Sequence, residues 1–283
     1  MQRPTRRHFL ALGAALFAGC AGSQTSADDT TAGPASASSP TSSASSPQST
    51  PAGSGIEEVI PQANESLPLP STPEAIRNEA QSGGPPKDGI PSIDDPQFIT
   101  PAEVDFLAPG DPVFGVQYNG VTKAYPQNIL VQHEIVNDII GDVPATVTYC
   151  PLTGTAMGFR RGSTTFGVSG RLVNNNLIMY DRATETWWPQ MLATAISGPW
   201  EENPPRTSLS EFRVIWTTWD RWQQQHPDTV VLSTQTGHAR NYNNDPYGSY
   251  NSREGYYATD AAPLFEELNS NARFPPKKVV MGV

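Results

Sequence analysis

Beyond residue 110, apolar residues fall in short runs that alternate with polar ones and are broken at close intervals by Gly, Asn, Asp or Pro. Residues 113–118 and 121–125 flank Asn119-Gly120, the pair preferred by a two-residue type I′ hairpin because both turn positions need positive φ. The same alternation predicts strands over 143–149, 156–160, 164–168, 177–180, 184–188 and 230–233. Helix signals are few and brief. Ser71-Thr72-Pro73-Glu74 opens a helix through Ala80, and Thr100-Pro101-Ala102-Glu103 has capping-box spacing with Pro at the first helical position. Residues 126–132 suit one or two helical turns, and Thr218 caps a helix over 219–226 that Pro227 stops, with Trp219 and Trp222 on one face. The pattern predicts an α+β, β-rich fold: a single domain of short antiparallel strands, sheet or barrel-like, with a few short helices.

Upstream of residue 70 this alternation disappears. Arg6 and Arg7 precede Phe9-Leu10, and the run over 11–18 is apolar and rich in small residues, the form of a twin-arginine export signal, here assigned to residues 1–19. The run is shorter than the roughly 20 residues that a membrane span needs. Phe17-Ala18-Gly19-Cys20 resembles a lipobox, whose cysteine takes lipid and becomes the mature N-terminus, although Leu is usual where Phe17 stands. From Ala21 to Gly55 every residue except Gln24, Asp28, Asp29 and Gln48 is Ser, Thr, Ala, Pro or Gly. Such a segment cannot bury enough surface to offset its ordering entropy. Residues 20–70 are therefore expected to form a lipidated, disordered tether reaching on the order of 40 Å, and residues 71–283 a single globular domain. The expected location is the outer face of the cell membrane, with the lipid on Cys20 as the membrane partner.

Charge narrows the function classes. The net charge is -10, and Lys87, Lys123, Lys277 and Lys278 are the lysines among 18 basic residues. An acidic, lysine-poor surface suits concentrated salt, which screens self-repulsion to within about 3 Å at 1 M, and points to a halophile. The arginines are scattered, whereas a nucleic-acid binder needs a clustered basic face, so no nucleic-acid partner is expected.

The segments Ala124-Tyr125-Pro126, His133-Glu134-Ile135-Val136-Asn137-Asp138, Val147-Thr148-Tyr149-Cys150-Pro151-Leu152, Ser169-Gly170, Met179-Tyr180-Asp181-Arg182 and His226-Pro227-Asp228-Thr229 resemble an uncharacterised family, domain of unknown function 3179. The resemblance spans most of residues 100–283 and implies a single domain without implying an activity. Members often carry a second cysteine three places after the first, where Thr153 stands here, which removes a Cys-x-x-Cys redox pair. Members also commonly continue past a strand like the one expected over 278–283.

Two functional readings stand side by side. In the first, Cys150, His133 and Asp181 are catalytic: Cys150 lies at a strand end before Pro151, with His133 and Glu134 upstream, and Asp181 supplies an orienting or acid/base carboxylate. Cys150 and His133 would equally begin a soft metal site for a copper or zinc ion. Against it, a lone cysteine is most often a small buried hydrophobe, His226 suits a helix C-terminus, His238 sits in a loop, and Asp181-Arg182 suits a turn. In the second reading the domain is a non-catalytic envelope module. Trp187, Trp188, Gln190 and Asn176, together with the Asn/Tyr-rich loop 241–248, present an aromatic and amide surface to a glycan, peptide, small molecule or protein. Core packing is the ordinary use of at least Trp188.

Overall fold

The computed structural model describes residues 60–65, 67–201, 208–268, 273–275 and 277–278. Contacts divide the chain into Met1–Thr50 and Pro51–Val283, and every described residue lies in the second unit. The twin-arginine motif, Cys20, most of the expected tether and the strand expected over 278–283 lie outside the described residues, apart from Lys278. Among the described residues no helix is long and apolar enough to cross a membrane.

Helix α1 (Pro73–Asn78) forms where the Thr-Pro signal placed it, with the Thr72 hydroxyl accepting from the Ala75 N–H at 3.2 Å. After β1 (Gln81–Ser82) and β2 (Phe98–Ile99), Pro101–Glu103 makes only a 3-10 turn closed by its capping box. Strands β3 (Pro112–Tyr118) and β4 (Val121–Pro126) form the expected hairpin, with Asn119 and Gly120 at φ 47° and 77°. Helix α2 (Gln127–His133) leads into β5 (Ile135–Ile140), a strand that the sequence reading did not include, then β6 (Val143–Cys150) and β7 (Thr155–Arg160). Strand β8 (Phe166–Val173) runs five residues beyond its expected end, across a bulge at Ser169-Gly170, to β9 (Asn176–Asp181). The 184–188 prediction shrinks to β10 (Trp187–Pro189), because Asp181 and Thr184 close a turn first. Strands β11 (Glu211–Phe212) and β12 (Ile215–Thr218), helix α3 (Trp219–Gln225), β13 (Val230–Leu232), and the pair β14 (Gly248–Ser249) and β15 (Glu254–Gly255) complete the order.

Three open sheets result, in orders β12-β3-β4-β13-β2, β11-β7-β6-β5 and β1-β8-β9-β10, and none closes into a barrel among the described residues. Pairing is antiparallel within them except between β13 and β4. The β11-β7-β6-β5 sheet is buried on both faces. Ala145, Val147 and Tyr149 of β6 pack with Phe114, Tyr125 and Ile129 of the hairpin and α2. The alternate residue Cys150 packs with Phe166, Met179, Trp188 and Trp200 on the β8-β9-β10 side, as the period-2 geometry of a strand requires. Ile60 is fully buried in that second cluster, and the backbone of 61–63 hydrogen-bonds to 208–210. Among the described residues, packing therefore reaches back to Ile60, within the segment 20–70 expected as tether.

Polar side chains tie the layers together. On one face of β5, Asp138 accepts from both Lys123 Nζ (3.0 and 2.8 Å) and the Tyr125 hydroxyl (2.6 Å) of β4, and Lys123 also sits 3.9 Å over the Phe98 ring. The Lys123 and Asp138 side chains are 10% and 5% exposed. On the opposite face, Asn137 accepts from the Phe166 N–H and the Thr146 hydroxyl and donates to the Phe166 carbonyl, at 2.9, 2.8 and 2.8 Å. Removing one partner of a buried ion pair strands the other charge, whereas replacing both with apolar groups is often tolerated. Asp138→Ala is expected to lower stability by about 3–5 kcal/mol, and Lys123→Met with Asp138→Leu to lose much less. Equilibrium denaturation of the three proteins in the same salt measures this.

Candidate functional site

The join between α2 and β5 turns within one residue. Glu134 takes the left-handed conformation at φ 60°, donates its N–H to Leu130 O and accepts from the Tyr149 N–H, both at 2.7 Å. For a side chain larger than Asn this conformation costs on the order of 1 kcal/mol. The Glu134 residue is 8% exposed, and no hydrogen bond reaches its carboxyl among the described residues. Burial alone pushes that carboxyl up to about 8. Cys150 lies nearby at the end of β6, 1% exposed, its thiol donating to Asn175 O at 3.6 Å. Burial, and then Glu134, push the thiol up, while the Thr153 hydroxyl and the N–H groups of Thr153 and Leu177 pull the other way. The result is a protonated thiol beside a carboxyl that burial keeps protonated near neutrality.

Other expected catalytic groups serve the interior. His133 is fully buried; Nδ1 meets Pro91 O at 2.7 Å and Nε2 meets the Tyr242 hydroxyl at 2.8 Å. Because a carbonyl can only accept, Nδ1 carries the proton and Nε2 accepts from Tyr242. Burial pushes the imidazole down to about 4, so it is neutral, and its ring nitrogens face Pro91 and Tyr242 rather than Cys150. Asp181, also fully buried, accepts from the Thr184 N–H (2.7 Å), the Thr184 hydroxyl and Trp188 Nε1 (3.0 Å), locking a turn. Its side-chain hydrogen bonds do not include Cys150. Among the described residues no three His, Cys, Asp or Glu side chains are grouped to hold a metal ion. His226 caps α3 with its ring 4.1 Å from Trp222, and exposed His238 stands 5.3 Å from the His133 ring.

The expected aromatic and amide surface divides in the structure. Trp188 and Gln190 are fully buried and Asn176 is 5% exposed. Gln190 Nε2 donates to the Thr148 hydroxyl at 2.8 Å, and Asn176 Nδ2 donates to Gln190 Oε1 at 2.9 Å and to the Thr153 hydroxyl at 3.0 Å. These amides hold the Cys150-to-Thr155 turn against β9 and are not a surface. Trp187, facing the other way, is half-buried and lines an open cleft of about 470 Å³ with Lys87, Ser169, Gly170, Arg171 and Tyr180. A Cβ on Gly170, which has φ +73°, would overlap the Pro85 carbonyl oxygen, so this glycine lets the 82–87 segment lie across the β8 bulge as one wall. The Asn/Tyr-rich loop borders a second cleft of about 330 Å³. There Tyr250 stacks on Tyr257 at 3.9 Å and meets the Tyr149 hydroxyl at 3.0 Å, covering the end of β6.

The architecture and these clefts can be set beside known proteins. The family model described as "Protein of unknown function (DUF3179)" matches residues 87–283. The chain belongs to this family. No curated protein and no solved structure matches it. The match to the family of unknown function takes in Glu134, Cys150, the β8 bulge and Trp187, and it begins at Lys87 on the cleft wall. Sequence reasoning missed Lys87, Arg171 and Tyr180 as neighbours of Trp187; the available signal was Ser169-Gly170, quoted for its family resemblance and not for the bulge it makes.

The two buried titrations act in different pH windows. Glu134 has its folded pKa raised from 4.5 to about 8, so the unfolded chain releases a proton that the folded chain keeps, and stability falls as pH rises from 4.5 to 8. His133 has its folded value lowered from 6.5 to about 4, so stability falls as pH drops from 6.5 to 4. Between pH 6.5 and 8, where Glu134 acts without His133, stability is expected to fall by up to about 2 kcal/mol. Denaturation midpoints across that range should lose most of this slope in Glu134→Gln.

Proposed function

We propose that this protein is a non-catalytic ligand-binding module of the outer cell surface, exported by the twin-arginine route and held by lipid on Cys20, with its ligand in the Trp187 cleft. The observation that carries the reading is the division of labour just described. Cys150, His133 and Asp181 are turned inward and occupied, while Trp187 opens onto a cleft of about 470 Å³. Lys87 lies 4.0 Å over the Tyr180 ring, and Trp187, half-buried against Ile76, Ile178 and Ile196, is the other aromatic residue that lines the cleft. An aromatic wall with a few polar groups in a concave site is the usual form of a small-ligand site. The export address, the acidic surface and the scattered arginines agree with such a role outside the cell in concentrated salt.

A thiol-based activity is the second reading, and the unpaired Glu134 carboxyl beside Cys150 is what favours it. It is the weaker of the two, because a reactive thiol needs thiolate character and access, and here burial opposes both.

The two readings separate in one pair of variants. Calorimetric titration of the full-length protein with soluble oligosaccharides is expected to show Trp187→Ala weakening binding at least tenfold and Cys150→Ser binding as the wild type. Cys150 is expected to react with a thiol reagent no faster than the protein unfolds. Rapid modification of the folded protein, with binding lost in Cys150→Ser, would move the function to the thiol.

A further inference from the structure

Resting on the binding-module reading, we infer that the Trp187 cleft takes an anionic sugar: a pyranose ring that stacks on Trp187 while its carboxylate or sulfate meets Arg171 and Lys87. The cleft departs from the rest of the surface in its charge. In a chain of net charge -10, two cations line it, and no Asp or Glu is among its described lining residues. The Arg171 guanidinium is exposed and forms no ion pair or hydrogen bond with any described residue, so its planar donor fork faces solvent. Lys87 pairs with Glu185, but those side chains are 46% and 63% exposed. An exposed pair of this kind contributes little, so an incoming anion can share the ammonium. The nearby Asp88 carboxylate is already met by the Tyr180 hydroxyl and Arg182.

The solvent this surface suits bears on the ligand's form. At molar salt the screening length is about 3 Å, so long-range attraction between a basic cleft and an acidic ligand is lost. What survives is contact: bidentate hydrogen bonding from a guanidinium to a planar or tetrahedral oxyanion, and apolar stacking, which ordering salts strengthen. The cleft offers both, one on each side. Trp187 on β10 and Arg171 on β8 flank β9 in the same sheet, so a ring lying on the indole directs its substituent across the sheet toward the cations. The Ser169 hydroxyl donates to Ile178 O and accepts from the Arg171 N–H at 3.1 Å. It therefore fixes the Arg171 backbone and is not left for the ligand. A nucleotide also combines a ring with an anion, but an acidic glycan is the form that abounds on an outer cell surface.

The test titrates full-length protein in concentrated salt with three probes: an oligogalacturonate, its neutral methyl ester, and adenosine monophosphate. The expected result is that the uronate binds at least tenfold more tightly than the ester and the nucleotide. Arg171→Gln should remove most of that preference while leaving the denaturation midpoint unchanged. If acid and ester bind alike and Arg171→Gln is without effect, the anionic assignment is overturned and the binding-module reading stands. Tighter binding of the nucleotide overturns the sugar assignment alone. If neither glycan nor nucleotide binds, both readings are overturned.

Discussion

Two adjacent polar residues in the middle of β5 hold the three sheets in register. Asn137 and Asp138 occupy neighbouring positions on a strand, so their side chains leave by opposite faces. Asp138 draws Lys123 and Tyr125 of the hairpin onto one side, and Asn137 takes both backbone groups of Phe166 on the other. Apolar burial between the layers is larger in total, but it is non-directional and would tolerate sliding. These bonds do not, and each has its full complement of partners, the condition under which a buried polar network adds specificity.

The same two residues explain why β5 was hard to read from sequence. Asn-Asp is turn chemistry when judged by composition, and it interrupts an apolar run that would otherwise announce a strand. Nothing local says that each polar group meets a partner from a different sheet. The 113–125 hairpin was legible because its turn is a local device, Asn119-Gly120, whose conformational demand is carried by the pair itself. The capped starts at Thr72 and Thr100 were legible for the same reason. The extension of β8 past Ser169-Gly170 was not, because the bulge that carries the strand onward is defined by its partner, Ile178, rather than by its own residues.

The site was legible in part. For Cys150 the sequence left a buried hydrophobe and a cleft-facing thiol as alternatives, and the fold buries it; Trp188 was expected to pack. The pairing of Cys150 with His133 was a matter of sequence proximity, and the fold gives them different partners: the α2–β5 join sets Glu134 within electrostatic reach of the thiol and His133 against Pro91 and Tyr242. Asn176 and Gln190 look like ligand-binding amides in a sequence, yet their hydrogen bonds stitch the Thr153 turn to β9 and β10. Arg171 gave no signal at all, since a single arginine gains meaning only when topology sets it across β9 from Trp187.

Burial of Ile60 bears on mechanics. The first described residue is a fully covered isoleucine packed with Trp200, Leu209 and their neighbours, and the chain then runs antiparallel to 208–210. A pull from the N-terminal side would load these contacts before any strand that lines the Trp187 cleft.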